Sequence, residues 1–247
     1  MIPLPSEPKT ISTEGNVGVF EIEGLYPGYG VTIANSLRRV LLSSLEGAAP
    51  TQVKIKGIPH EFSTLEGVKE DAVMILLNLK RLKFISHSDE PQAVTMKVKG
   101  EKKLTGDDLK VPSQLEIVSK SAPIAELTSK SSEFEMELVV EKGTGYEPAE
   151  SRRKGKEEIG VIALDAIYTP VVKVRTDVKN MRVGERTDFD RVTIEVETDG
   201  TITPEAAMYG AADILVKQFT KIASSLEQVE EEEPEKKKPA KKTAAKK

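Results

Sequence analysis

His60 and His87 are the only imidazoles in the chain, and His60 stands beside Glu61 in the segment IPHEFST. A histidine next to an acid can move a proton, but no nucleophile accompanies this pair at a recognisable spacing, so acid–base catalysis has little to stand on. The other feature with chemical promise is GLYPGYG, residues 24–30, just ahead of a helical pattern. Backbone N–H groups at a helix start attract phosphate. Gly24, Gly28 and Gly30 nevertheless satisfy neither Gly-x-x-x-x-Gly-Lys-[Ser/Thr] nor Gly-x-Gly-x-x-Gly. The chain has no cysteine, which removes disulfides, thiolate metal sites and cysteine nucleophiles. Two histidines make no His-rich metal cluster, and no Asp-x-Asp-x-Asp run offers the carboxylates of two-metal phosphoryl transfer. The sequence therefore assigns no catalytic residue, no metal ligand and no cofactor.

The elements around these residues follow from periodicity. Val17 to Glu23 alternates as a short strand, GLYPGYG breaks it, and a helix is expected from about Val31 to Ser44. TQVKIKGI, from Thr51, alternates as a half-buried strand, and Val68 to Leu79 reads as a helix with an acidic start at Glu70 and Asp71. Alternation returns at Val94, Met96 and Val98, at Leu115 and Ile117, and from Phe134 to Val140. Residues 143–160, GTGYEPAESRRKGKEEIG, read as a long exposed loop. Strands resume at Val171 to Arg175 and Val192 to Val196, ending at the turn Thr198 to Gly200. Thr203, Pro204 and Glu205 supply an N-cap, a proline at the first helical position and an early acid for a final helix to about Glu227. Helices separated by many strands give an α+β fold rather than a βαβ series.

Two of these helices carry more apolar surface than one core position needs. In the last one, Met208, Ala212, Leu215, Phe219, Ile222 and Leu226 follow the a/d spacing of a heptad. Such a face can lie on its own sheet or against a second copy of the chain. In the first helix, steps of 100° gather Ile33, Ala34, Leu37, Val40, Leu41, Ser44 and Leu45 on one arc. Asn35, Arg39 and Leu42 fall on the far side, with Arg38 at the edge. An amide, a guanidinium and an apolar anchor within two turns have the composition of a protein interface. The same residues would also suit a helix buried on both faces, with Arg39 paired to a carboxylate of its own chain.

Charge adds one further segment. Residues 230–247 contain seven Lys and five Glu, leaving 29 basic and 35 acidic residues, a net −6, in the rest of the chain. The body is thus no nucleic-acid surface by charge alone. The tail has no large apolar side chain and is expected to be disordered, either as a solubilising appendage or as a weak, salt-sensitive phosphate tether. The N-terminus lacks the charged and apolar regions of a signal peptide, and Ala72 to Leu79 is too short to span a bilayer, so a cytoplasmic protein with no membrane contact is expected.

The segments GYGVTIANSLRRVLLSSLEGAA from Gly28, VKIKGIPHEFSTLEGVKEDAVMILLNLKRL from Val53, GTGYEPAES from Gly143, VKNMRVGERTDFDRVTIEVETDGTITPEAA from Val178 and AADILVKQF from Ala211 resemble one family. It is the α subunit of bacterial-type DNA-directed RNA polymerase, in its N-terminal assembly region. The resemblance implies a discontinuous dimerisation domain from residues 1–48 and 173–228, with two partner-facing helices, an inserted strand-rich domain at 49–172 and a charged tail at 229–247. It implies a homodimer interface with Ile33, Leu37, Leu41, Met208, Ala212, Leu215, Phe219, Ile222 and Leu226. It places Asn35, Arg38, Arg39 and Leu42 against the β subunit, and Arg182 and Arg186, within Asn180 to Asp190, on a large-subunit contact loop. The implied role is a non-catalytic platform in transcription: two α chains dimerise, β docks, and β′ completes the core enzyme. In that family ω and σ join the complex, Mg²⁺ belongs to β′, and DNA is met through the assembly. The helical C-terminal domain that family members carry for upstream DNA is expected to be missing here, where the Lys-rich tail stands instead. An α-like subunit of an archaeal or eukaryotic polymerase, which pairs with a different chain, is the nearest competing assignment.

Overall fold

The computed structural model describes residues 2–152 and 160–230, so the expected disordered tail lies almost wholly outside the described residues. The first part of the chain forms β1 (Lys9–Glu14), β2 (Val17–Leu25), α1 (Tyr29–Ser43) and β3 (Glu46–Ile55). Next come α2 (Ala72–Leu79), β4 (Phe84–Ser86), β5 (Gln92–Lys99), β6 (Lys102–Thr105), β7 (Leu115–Ile117) and β8 (Pro123–Leu127). The remainder is β9 (Glu133–Thr144), β10 (Tyr146–Glu147), α3 (Ala149–Arg152), β11 (Val161–Ala163), β12 (Ala166–Ile167), β13 (Val171–Val183), β14 (Arg186–Thr198) and α4 (Pro204–Glu230). The fold is α+β.

Two hydrophobic cores organise these elements. The outer core is built by chain from both ends. A four-stranded antiparallel sheet runs in the order β1-β2-β14-β13, with Phe20 of β2 opposite Ile194 of β14 and Ile22 opposite Val192. Alternation sends Phe20, Ile22, Val192, Ile194 and Val196 to one face. Ala34, Leu37 and Leu41 of α1 and Ala207 and Ala211 of α4 cover them in the same buried cluster. The inner core belongs to a sheet in the order β5-β9-β3-β4-β7, with β11 on β3. There Val53, Ile55, Val94, Met96, Phe134, Met136 and Leu138 face α2 residues Ile75 and Leu79 within one buried cluster.

Where local structure differs from expectation, long-range pairing is the cause. The second helix begins at Ala72, not Val68. Gly67 has φ +79, Val68 bridges Leu127, and the Asp71 side chain caps the helix by accepting the Met74 N–H at 2.8 Å. The segment expected as a loop from 143 is structured up to Arg152, because β9 pairs with β3 as far as Thr144, opposite Glu46. The two short strands expected near Val171 and Val192 are arms of 13 residues each. They join at a tight turn in which Gly184 has φ +64. The last helix starts as the sequence indicates, with Thr203 Oγ1 accepting the Ala206 N–H at 3.2 Å.

The chain crosses between the cores twice, and the crossings touch. A Cβ on Gly47 would stand 1.8 Å from the Tyr168 carbonyl oxygen, and one on Gly143 would stand 2.7 Å from the Tyr168 ring. Tyr168 is buried there with Ala49 and Ala166. Thr169 Oγ1 donates to the Leu42 carbonyl at 3.2 Å, and Lys83 Nζ lies 3.2 Å from Asp199 Oδ2. Both bonds join the inserted sheet or its exit strand to the outer core.

Candidate assembly surfaces

The start of α1 decides what its outer row can present. Gly28 occupies the N-cap with φ +85 and no side chain to bond the helix N–H groups. A helix start leaves such groups unsatisfied unless an acceptor arrives from elsewhere. It arrives from β14: Asp190 Oδ2 accepts the N–H of Gly28 at 2.9 Å and of Gly30 at 3.0 Å. The carboxylate is almost fully buried, and a Cβ on Gly30 would sit 2.9 Å from Asp190 Oδ2. The glycine therefore permits the approach. This arrangement overturns the phosphate-loop possibility for GLYPGYG, since an internal anion already takes the N–H groups that a phosphate would use.

From that anchored start, α1 divides cleanly. Leu37 and Leu41, expected on a surface shared with a second copy, are buried in the outer core of their own protomer. Ile33 is half-buried against the same core. Asn35, Arg38 and Arg39 are exposed, and Leu42 is 37% exposed beside them. Among the described residues no ion pair fixes either arginine to a carboxylate, and the row forms one outward patch.

On α4 the heptad seam changes character along its length. Met208 and Leu215 rest partly against the outer core. Ala212 is exposed. Beyond it, Phe219 is 62%, Ile222 56% and Leu226 64% exposed, with Val216 also outward. The protomer leaves this apolar end of the helix bare.

The two arginines of Asn180 to Asp190 differ. Arg182 is exposed, with Nε donating to the Gly184 carbonyl at 2.8 Å. Arg186 is already engaged: Nε and Nη2 donate to the two oxygens of Asp188 at 3.0 and 2.7 Å. Its guanidinium lies 5.6 Å from the Tyr26 ring centre and 5.2 Å from that of Phe189. The fork on Asp188 holds that carboxyl below the usual aspartate range. Because Tyr26 precedes α1 and Phe189 lies on β14, this stack ties the hairpin to the same helix start as Asp190.

The remaining candidates for chemistry stay apart. His60 is exposed, with Nδ1 3.2 Å from Ser63 Oγ, and His87 Nε2 lies 3.4 Å from Glu116 on another surface. Among the described residues no group of three His, Asp or Glu side chains is placed to hold a metal ion. No helix among them is long and apolar enough to cross a membrane.

A family model described as the RNA polymerase Rpb3/RpoA insert domain matches residues 53–169. The chain is also 46% identical over 213 residues to DNA-directed RNA polymerase subunit alpha of Carboxydothermus hydrogenoformans, which covers 85% of this chain and 68% of that protein. The chain belongs to the family of DNA-directed RNA polymerase subunit alpha. The α-subunit family includes relatives in Alkaliphilus oremlandii, 47% identical over 83% of this chain and 64% of their own length. In Symbiobacterium thermophilum the figures are 42%, 91% and 71%. This chain spans about two thirds of the length of these α subunits. Membership places it in transcription, as a subunit of a DNA-directed RNA polymerase.

Two features escape the sequence. Asp190 carries no local signal, although a helix beginning at glycine without its own cap implies a distant acceptor. Phe62, Met74 and Leu77 are exposed apolar residues of the inserted part. Because α2 is apolar on every face, periodicity marks no outward row there.

Proposed function

We propose that this α subunit acts as a homodimeric platform on which the two large subunits of RNA polymerase assemble. The observation that carries the proposal is the bare end of α4. Phe219, Ile222 and Leu226 leave more than half their surface in water, on the helix whose earlier turns are fixed to the core. An apolar stripe of this kind on a rigid helix marks a protein contact, and two copies related by a two-fold axis would cover each other's stripe. Ile33, Met208 and Leu215, partly buried against the outer core, and the exposed Ala212 extend that contact.

The outward row Asn35, Arg38, Arg39 and Leu42 is then left for β, and Arg182 for a large-subunit contact at the hairpin. Arg186 acts there by shaping the hairpin, given its bonds to Asp188. In this scheme two α chains pair first, β docks, and β′ completes the core enzyme. ω and σ join that assembly, and DNA is reached through it, with at most weak contact by the Lys-rich tail. The chain supplies no catalytic residue and no cofactor of its own, Mg²⁺ being a property of β′, and it works in the bacterial cytoplasm.

Co-expression with β and β′ chains, followed by pull-down through a tag on this chain, tests the scheme. Capture of β by the homodimer, followed by β′, is expected. Size-exclusion chromatography with light scattering should show a homodimer for the chain alone, and a monomer at micromolar concentration would overturn the proposal.

A further inference from the structure

We infer that Asp190 is a positioning residue for the β-docking face of α1, an inference that rests on the outward row of α1 being that face. Asp190 makes no contact with Arg39 or Leu42 among its described bonds. It acts through the helix that carries them.

The geometry is that of a rod held at its two ends by residues distant in sequence. At the start, Asp190 Oδ2 receives two N–H groups, from Gly28 and Gly30, at 2.9 and 3.0 Å. At the end, Thr169 Oγ1 donates to the Leu42 carbonyl at 3.2 Å. The N-cap glycine has no side-chain bond of its own, so the start of the helix depends on Asp190, while Ala34, Leu37 and Leu41 seat its middle in the outer core. An α-helix rises about 1.5 Å per residue, which puts Arg39 roughly 16 Å from the Asp190 anchor. Over that lever, release of the start lets the first turns shift against the core packing of Leu37 and Leu41 and spoils the simultaneous fit of an arginine and a leucine. The bond is also strong in kind: a buried carboxylate facing a helix N-terminus gains from both charge-assisted hydrogen bonds and the helix dipole.

The anchor reaches further than the helix. Asp190 belongs to β14, two residues from Asp188 and four from Arg186, whose guanidinium stacks over Tyr26 just before α1. The hairpin carrying Arg182 and the helix carrying Arg39 are thus joined at one point. One carboxylate sets both docking features in a common frame.

The test compares Asp190→Ala, Asp190→Asn and Arg39→Ala in the full homodimer. It uses amide hydrogen exchange and the affinity for β. Asparagine is a good cap that keeps an acceptor oxygen, whereas alanine leaves two N–H groups bare. Asp190→Ala is expected to speed exchange at Gly28 and Gly30 about tenfold, to weaken β capture about tenfold and to leave the homodimer intact. Asp190→Asn should stay within about threefold of the parent in both measurements. If Asp190→Ala yields no folded protein, Asp190→Glu takes its place with the same expectations, since its longer side chain keeps the charge but misplaces it. The inference is overturned if exchange rises equally across β14 and α4, if β capture is unchanged, or if asparagine fails to rescue. An Arg39→Ala variant with full β capture would sink the docking role of α1 itself, while the exchange data would still report on the cap.

Discussion

Leu41 and Leu42 are neighbours in the chain, about 100° apart around α1, with Leu41 sealed in the outer core and Leu42 partly exposed to solvent. Their truncations should therefore separate folding from partner capture. Leu41→Ala is expected to cost about 2 to 5 kcal/mol of stability, as a cavity in a packed core does, seen as a lower midpoint in urea. Leu42→Ala or Arg39→Ala should leave that midpoint and the homodimer unchanged while weakening β capture by at least about 2 kcal/mol. Loss of dimerisation with β capture retained would mean the faces of α1 are assigned backwards.

Phe219→Asp should dissociate the homodimer, because self-association would bury a carboxylate with no partner. Phe219 is largely exposed in the single protomer, so the monomer should remain folded. Light scattering reads the first effect and circular dichroism the second. A variant that unfolds instead would show that Phe219 belongs to its own protomer's core.

Gly143 packs beneath Tyr168 so closely that a methyl group would meet the ring at 2.7 Å. Gly143→Ala is expected to destabilise by about 1 to 3 kcal/mol through overpacking at the crossing between the cores. A paired Tyr168→Leu substitution removes the ring that clashes, so the double variant should lose less than the sum of the two single changes. Urea denaturation of the four proteins measures the coupling.

Acid should act on the inserted part through Asp165. The Ala149 N–H, at 3.0 Å, and then the Lys80 ammonium, at 2.8 Å, hold its carboxyl below the ordinary aspartate value. A carboxyl depressed in the folded state contributes stability that is present above its unfolded value, about 3.9, and is lost as pH falls through the lower folded value. The stability difference between the parent and Asp165→Asn should be constant from about pH 5 to 7 and shrink below about pH 4. A difference that does not change with pH would remove this ion pair from the acid response.

Tyr168 predicts the opposite limb. Burial raises its phenol above the ordinary value. The folded state thus prefers the neutral ring, and its contribution is complete below the unfolded value of about 10 and fades as pH climbs toward the folded one. Tyrosinate absorbance should show one late-ionising phenol, and Tyr168→Phe should remove that late step.

What could be read from residue order was local in origin. Thr203 and Pro204 announce the start of α4 because a cap is a matter of three adjacent residues. The exposed position of Leu42 follows from helical geometry alone. Leu37 and Leu41 show where this stops: an apolar arc says that a face is buried, and only the folded neighbours say in whose core. The full β13–β14 hairpin was hidden for a related reason. Its outer half, from Lys179 to Asp188, is mostly polar and exposed and pairs with its own return strand, so no regular alternation marks it. Asp190 was the least legible of all, since its partners lie 160 and 162 residues away.

The touching crossings at Gly47 and Tyr168, with Thr169 bonded to the end of α1, give the molecule a narrow neck. Everything between those points departs and returns within the reach of one side chain. A short turn in place of that excursion would close the remaining chain over an intact apolar interior, and a foreign module whose own ends meet could be spliced at the same seam. The pairing surface and the inserted sheet are thereby free to be exchanged, lengthened or pruned by separate routes.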